Sequence, residues 1–297
     1  MPRASGWTAA FGWHPNKVDL VALLLPLAAA CREAGEAIIA IRRSGFAVEK
    51  KGDSSPVTEA DRAAEAILLR ALAAHAPGIP VVAEEEVAAG RVPALGPIFF
   101  LVDALDGTRE FVRGGDDYTV NIGLVVDGVP QLGLVLAPEQ GRLWSGVVGE
   151  GAFVEQSEER RAIRTRDPGV PLLAVASKSH LNAATAAYLA AAAPGCGHVS
   201  VGSSLKFCLL AEGSADLYPR LSPTCEWDTA AGHAVLLAAG GRVDGLYGAP
   251  LDYGKVGFLN RGFIATGGWE PLSPKGYLPP VSWVTPTNLL QNGSFIE

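Results

Sequence analysis

Ile98-Phe-Phe-Leu-Val-Asp103-Ala-Leu-Asp106-Gly107-Thr108 carries an apolar run into two carboxylates three residues apart, then into Gly and Thr. The run from Ile98 to Val102 is apolar without alternation and lies between Pro97 and Asp103, the pattern of a strand covered on both faces. Such a strand belongs to a layered fold in which helices cover a sheet. Two carboxylates at its end repel each other unless a hard cation lies between them. Mg²⁺ is such a cation: it takes oxygen ligands and combines a few carboxylates with waters and substrate phosphate. Gly107 lets backbone approach a ligand, and a helical turn opening at Thr108 and running to Val112 presents amides to an anion. The same residues also suit a plain Asx-type turn, with Asp106-Gly107 as turn chemistry alone.

Working outward, the apolar spacing of Leu20, Leu24, Leu27, Cys31, Ala34, Ile38 and Ile41 predicts a core helix over 18–43. A polar loop, Lys50 to Pro56, leads to a second helix with Ala66, Leu69, Leu72 and Ala73 inward. Strands are expected at 79–83 and 98–102, then at 118–126 and 131–137 around the hairpin signal Asp127-Gly128, and near 142–148, 151–154 and 161–165. Past Asp167-Pro168-Gly169 the order alternates: strand 172–176, helix 181–192, strand 197–201, helix 204–212, strand 215–218, helix 229–239. The expected organisation is an N-terminal extension (1–17), an α+β lobe (18–166), an α/β lobe (167–268) and a Pro-rich tail (269–297), without internal repeats.

With 297 residues, 48% hydrophobic and 19% charged, the chain is long enough to bury a large core, and its 35 Gly and 21 Pro stay below the level of low-complexity chains. The formal net charge of −7 lacks the basic footprint of a nucleic-acid or anionic-membrane binder. Four dispersed cysteines, Cys31, Cys196, Cys208 and Cys225, form no C-x-x-C pair and fit a reducing cytosol. The apolar run from Leu20 to Cys31 contains Pro26 and is shorter than the about 20 residues a membrane span needs. Ala28-Ala-Ala-Cys31 has the look of a lipoprotein cleavage site, but the helical pattern continues past it.

Three further acidic positions join the first pair. Val81-Val-Ala-Glu84-Glu85-Glu86 repeats the plan of a buried strand ending in carboxylates, which a solvated charge run also explains. Asp228, in Glu226-Trp-Asp228-Thr-Ala-Ala-Gly232, opens a helix, where Asp is most often a cap. Thr58-Glu-Ala-Asp61 has capping-box spacing with Asp in place of Glu or Gln.

Together, Lys51-Gly-Asp53-Ser-Ser-Pro-Val-Thr58-Glu-Ala-Asp61, Glu84-Glu85, Asp103-Ala-Leu-Asp106-Gly-Thr108 and Trp227-Asp228-Thr-Ala-Ala-Gly232 resemble the ordered signatures of the inositol-monophosphatase-like, lithium-sensitive, magnesium-dependent phosphatases. Glu110-Phe111, Tyr118-Thr-Val-Asn121-Ile, Ser177-Lys-Ser-His180, Gly202-Ser-Ser-Leu-Lys206-Phe and Leu217-Tyr-Pro-Arg220 narrow this to similarity with the bacterial 3'(2'),5'-bisphosphate nucleotidases of sulfur assimilation. The resemblance spans roughly 18–268. It implies an α/β fold, a five-layer α/β/α/β/α sandwich of the sugar phosphatase type, with metals between the lobes. It implies that Glu84, Asp103 and the Leu105 carbonyl bind one Mg²⁺, that Asp103, Asp106 and Asp228 bind a second, and that Asp61 is an outer or third-metal ligand. Asp53 and Thr108 match the pair that orients and deprotonates the attacking water. Gly107 and Thr108 with their amides match the phosphate site. Ser177, His180, Ser203, Lys206 and Arg220 match a nucleotide and second-phosphate site. Two departures, Ala104 for the usual Pro and Ala83 for the common Gly or Ser, remove no ligand.

The implied activity is Mg²⁺-dependent removal of the 3'-phosphate from 3'-phosphoadenosine 5'-phosphate. Two or three Mg²⁺ would be bound, with Li⁺ and Ca²⁺ inhibitory. An inositol or sugar phosphatase of the same fold and a non-catalytic metal-binding scaffold are the alternatives. The implied partner is a small-molecule nucleotide bisphosphate, with no nucleic acid and no stable membrane insertion. The chain is expected to be a monomer or homodimer in the cytoplasm, at most loosely associated with the inner membrane.

Overall fold

Asp19 starts the first helix, α1 (Leu20–Ser44), by accepting the Ala22 amide at 3.0 Å, which satisfies one of the donors that a helix start leaves unpaired. The computed structural model describes residues 18–50, 56–157, 159–177, 181–196 and 198–278. The strands β1 (Val48–Lys50) and β2 (Pro56–Thr58) pair antiparallel and lead into α2 (Glu59–His75). The expected capping box forms there with Asp. The Thr58 hydroxyl accepts from the Ala60 amide at 3.1 Å, and the Thr58 amide donates to Asp61 Oδ2 at 2.7 Å.

The inward face of α2 differs from the expected one. Ala60, Asp61, Ala64, Glu65, Leu68 and Leu72 are buried, whereas Ala66 and Ala73 are exposed. An alanine buries little apolar area, so alanines do not fix the rotation of the helix. The rotation seen here follows Leu68 and Leu72 and brings Glu65 inward to a polar partner described below.

The larger sheet follows as β3 (Val81–Ala83), β4 (Ile98–Asp106), β5 (Thr119–Val126), β6 (Val129–Ala137), β7 (Arg142–Val147), β8 (Gly151–Gln156) and β9 (Glu159–Ile163), in that spatial order. Strand β3 is parallel to β4 and every other pair is antiparallel. Two short helices interrupt it, α3 (Glu84–Ala88) and α4 (Thr108–Val112). Asp127 and Gly128 both take positive φ, 50° and 80°, as a tight hairpin turn demands.

The second sheet has the order β11-β10-β12-β16-β14, from β10 (Ala174–Ser177), β11 (His198–Val201), β12 (Leu217–Arg220), β14 (Arg242–Gly245) and β16 (Phe263–Thr266). The first three strands run parallel, and β16 runs antiparallel to both of its neighbours. Between them lie α5 (Ala183–Ala192), α6 (Leu205–Ala211), β13 (Thr224–Cys225), α7 (Ala230–Ala238) and β15 (Leu259–Asn260). Strands β14 and β16 are not among the strands expected from the sequence, and β12 begins later than the expected 215.

Core packing sorts these elements into five layers. Leu27 and Ile38 of α1 and Leu68 and Leu72 of α2 pack with Phe100, Ile122 and Leu134 on one face of the larger sheet. The opposite face, with Phe99, Leu101, Val125 and Val135, shares a core with α6, α7 and the inner face of the second sheet, including Val243 and Phe263. Ala174, Leu217 and Ile264 on that sheet's outer face pack with Tyr188 and Leu189 of α5. The helix-sheet-helix-sheet-helix stack is the expected sandwich.

Helix α7 lies unusually close to the larger sheet. A Cβ on Gly133 would stand 2.1 Å from the Ala231 carbonyl oxygen, and one on Gly123 would stand 2.8 Å from Ala230 Cβ. The first part of the tail packs on its own chain: the Tyr188 hydroxyl donates to the Leu272 carbonyl at 2.7 Å, and the Tyr277 ring meets Tyr188 edge-on. The extension 1–17 and residues 279–297 lie outside the described residues. All four cysteines are free, and among the described residues no helix is long and apolar enough to cross a membrane.

Within α7, His233 is buried and its Nδ1 lies 2.9 Å from the Tyr253 hydroxyl. Burial, aided by the nearby Lys255, pushes its pKa down from 6.5 to about 3. The unfolded chain therefore takes up a proton below about pH 6.5 that the folded chain refuses. His233 should subtract up to about 1.4 kcal/mol of stability per pH unit as pH falls from 6.5 towards 3. Melting temperatures measured across that range should fall less steeply for His233→Gln than for the parent chain, and parallel curves would refute the assignment.

Candidate metal and phosphate site

In a regular strand, residues three apart point to opposite faces, so Asp103 and Asp106 would face different layers. The register of β4 against β5 prevents this: Asp103 pairs with Asn121 and Asp106 with Thr119, so three steps on β4 match two on β5. The extra residue is a β-bulge. Ala104 and Leu105 both turn to the α1/α2 core, and the two carboxylates are left together on the face towards α6 and α7. The Leu105 amide donates to Asp103 Oδ1 at 3.0 Å and holds the bulge. Gly107 follows with φ 96°, where a Cβ would lie 2.9 Å from the Asp117 carbonyl oxygen, so glycine is required there.

Asp61 comes from α2 and Glu84 from α3. The Thr108 hydroxyl lies 3.0 Å from Asp61 Oδ1 and 3.1 Å from the Leu105 carbonyl oxygen, while Asp61 Oδ2 accepts the Thr58 amide and hydroxyl, each at 2.7 Å. Burial raises the Asp61 pKa against the lowering effect of these donors, and the charge of Glu84 adds to the rise. Glu84 is the first residue of α3, whose N-cap, Ala83, makes no side-chain cap. The buried Glu65 caps this helix instead, accepting the Glu85 amide at 2.9 Å and the Glu86 amide at 3.1 Å. Burial raises Glu65 to about 7. The sequence reading missed Glu65 because its partners lie some twenty residues away, on α3.

Asp228 arrives just before α7. Its Oδ2 accepts the Cys225 amide at 3.0 Å and the Thr224 hydroxyl. Ser204 bridges it to the bulge, because its hydroxyl lies 2.7 Å from the Asp228 carbonyl oxygen and 3.2 Å from Asp106 Oδ2. Burial, and then repulsion from Asp228, push Asp106 up to about 7, with Lys206 and Ser204 opposing. The Cys225 thiol is raised by burial and then by the charges of Asp228, Glu84 and Asp103.

Of the positions matched to substrate binding, Ser177 lies on β10, Ser203 just before α6, Lys206 on α6 and Arg220 on β12. Lys206 is buried. Its ammonium donates to the Val201 carbonyl at 3.0 Å and the Ser203 carbonyl at 2.6 Å, 5.3 Å from the Tyr218 ring. Burial lowers its pKa to about 8, opposed by Asp106. Ser203 sits at positive φ, 47°, with its hydroxyl buried and unpartnered among the described residues, and Arg220 Nε is likewise buried and unpartnered. Arg220 also donates to the Pro223 carbonyl at 3.0 Å. The Gly202 amide donates to Asp117 Oδ2 at 3.2 Å, tying this turn to the loop after α4. Ser177 ends β10 at a partly buried position. Asp53 and His180 lie outside the described residues.

The donor set suits a hard cation, for it consists of carboxylates and the Leu105 carbonyl. Among the described residues no three of these acidic groups converge on a single point. The backbone gathers them into one region without closing them.

The chain matches the Inositol monophosphatase family over residues 20–271. It is 44% identical over 237 residues to the 3'(2'),5'-bisphosphate nucleotidase CysQ of Escherichia coli (strain K12), covering 78% of this chain and 94% of that protein. Among solved structures it is similar to CysQ from Bacteroides thetaiotaomicron, with TM-score 0.70, 35% identity, and coverage of 82% of this chain and 97% of that one. It is also similar to an inositol monophosphatase from Anabaena, with TM-score 0.68, 26% identity, and coverage of 89% and 99%. With its fold, its carboxylate-bearing bulge and these relatives, the chain belongs to the inositol monophosphatase family.

Proposed function

We propose that this chain is a Mg²⁺-dependent phosphomonoesterase that removes the 3'-phosphate of 3'-phosphoadenosine 5'-phosphate, giving AMP and phosphate. The observation that carries the metal chemistry is the β4 bulge, which turns Asp103 and Asp106 to one face beside Ser204 and Asp228. The nucleotide preference is supported by the similarity to CysQ over most of both chains.

In this reading Glu84, Asp103 and the Leu105 carbonyl would hold one Mg²⁺, Asp103, Asp106 and Asp228 would hold a second, and Asp61 would serve an outer or third position. Bound Mg²⁺ supplies positive charge that neutralises the developing phosphate oxygens and lowers the pKa of water. Thr108, anchored by Asp61 and the Leu105 carbonyl, orients a water for in-line attack. As the water oxygen bonds to phosphorus its proton passes to Asp53, the position matched by the resemblance, the P–O3' bond breaks, and the 3'-oxygen takes up a proton from solvent to leave AMP. Gly107 and Thr108 position the transferred phosphate, because orientation and charge stabilisation do most of the work in phosphoryl transfer.

The second phosphate and the nucleoside are read by the other lobe. Ser203 Oγ and Arg220 Nε are buried donors awaiting an acceptor. Lys206 contributes through its charge and by holding the Val201 and Ser203 carbonyls, which shape the turn that presents Ser203. Ser177, at the end of β10, and His180, by the resemblance alone, are assigned to nucleotide binding. The reading includes inhibition by Li⁺ and Ca²⁺ and a cytoplasmic monomer or homodimer.

Phosphate release should be at least about tenfold faster from 3'-phosphoadenosine 5'-phosphate than from inositol 1-phosphate, and Li⁺ should suppress it. Faster release from the inositol phosphate would favour the inositol phosphatase alternative and overturn the nucleotidase reading. Asp103→Asn should stay folded, with a melting temperature in EDTA at or above that of the parent because a buried repulsion is relieved, while turnover falls to background. Unchanged turnover would remove Asp103 from the metal site. Glu65→Ala, which uncaps the helix carrying Glu84, should raise the Mg²⁺ concentration for half-maximal activity about 10- to 100-fold, the usual cost of losing an outer support of a ligand.

A further inference from the structure

The register that aligns the two carboxylates also aligns two polar side chains opposite them. Asn121 is the cross-strand partner of Asp103, and Thr119 that of Asp106. Both are fully buried, at 0% exposure, and Thr119 Oγ1, Asn121 Nδ2 and Asn121 Oδ1 have no hydrogen-bond partner among the described residues. A buried amide with every side-chain polar atom unmet is rare in folded proteins and calls for an explanation. Asn is also a poor strand residue, so its place in the centre of a seven-stranded sheet works against local preference.

The face is unambiguous. Tyr118, Val120, Ile122 and Leu124 pack into the α1/α2 core, so Thr119, Asn121 and Gly123 look the other way, and Gly123 lies directly under Ala230 and Ala231 at the start of α7. The neighbouring polar cluster does not use Asn121: the Thr229 hydroxyl accepts from Asn260 Nδ2 at 2.9 Å and from the Tyr253 hydroxyl at 3.2 Å. Directly opposed residues of an antiparallel pair have Cβ atoms about 5 Å apart, within reach of an amide-to-carboxylate or hydroxyl-to-carboxylate hydrogen bond.

We propose that Asn121 and Thr119 are positioning residues that hold the Asp103 and Asp106 carboxylates in their cation-binding orientation. Asn121 Nδ2 donates to the Asp103 carboxylate and the Thr119 hydroxyl donates to Asp106 as each carboxylate turns towards the cation. Such outer partners fix ligand orientation, and losing them typically weakens metal binding 10- to 100-fold. The inference rests on the Mg²⁺ site proposed above.

The test is calorimetric titration of Mg²⁺ into the full chain, with melting temperatures in EDTA measured in parallel. Asn121→Leu keeps the shape and removes the polar atoms, and Thr119→Val removes only the hydroxyl. The Mg²⁺ Kd should rise at least about tenfold for N121L and severalfold for T119V, while the metal-free melting temperature holds or rises and turnover recovers at high Mg²⁺. A parental Kd in N121L, with or without a lower metal-free melting temperature, would mean that Asn121 only packs, and overturns the inference. Should N121L fail to fold, Asn121→Ser decides by the same titration and the same criterion. A parent chain that takes no Mg²⁺ overturns the underlying site together with this inference, whereas parental binding with undiminished variant binding overturns the inference alone.

Discussion

The bulge in β4 is the constraint on which the site depends. Strand geometry alone would send Asp103 and Asp106 to opposite layers, one into the α1/α2 core and one towards α7. One extra residue between them places both on the inner face, where burial and then the charge of Asp228 raise the Asp106 pKa, an electrostatic cost. The rest of the structure answers that cost. The Leu105 amide engages Asp103, Ser204 reaches Asp106, and the Lys206 charge opposes the upward push on the Asp106 pKa.

The second layer follows from the same need. Asp228 can join the pair only if the start of α7 lies against the sheet, and glycines at 123 and 133 provide that close approach. Glu84 is delivered by a five-residue helix too short to hold itself, so Glu65 caps it from α2. The net charge of −7 is then largely local. Asp61, Glu84, Asp103, Asp106 and Asp228 account for five of the excess acidic charges, and cations among them would invert the sign of the region that meets a phosphate.

The order of helices and strands was legible from apolar runs and turn chemistry, as the Asp127-Gly128 hairpin and the Asp61 capping box illustrate, whereas the five-layer sandwich followed from the family resemblance. What escaped the sequence depended on distant partners. The face of α2 was misread because alanines carry little burial energy and the helix instead buries Asp61 and Glu65. Strand β14, Arg242-Val-Asp-Gly, carries a single apolar residue and so has no periodicity to register. The acidic cluster was readable as a set of residue types in order, but the bulge that aligns Asp103 with Asp106 exists only in the register with β5. Lys206, matched to substrate from its motif, directs its ammonium to two backbone carbonyls, a role that depends on the fold of the Gly202–Ser204 turn.

If the bulge brings Asp103 and Asp106 together to share divalent cations, anomalous diffraction from crystals grown with Mn²⁺, AMP and phosphate should reveal them. Two anomalous peaks should lie within coordination distance of Asp103, one also reaching Glu84 and the other also reaching Asp106 and Asp228, with phosphate beside Thr108. Full occupancy of Mn²⁺ elsewhere, with no peak at Asp103, would contradict it.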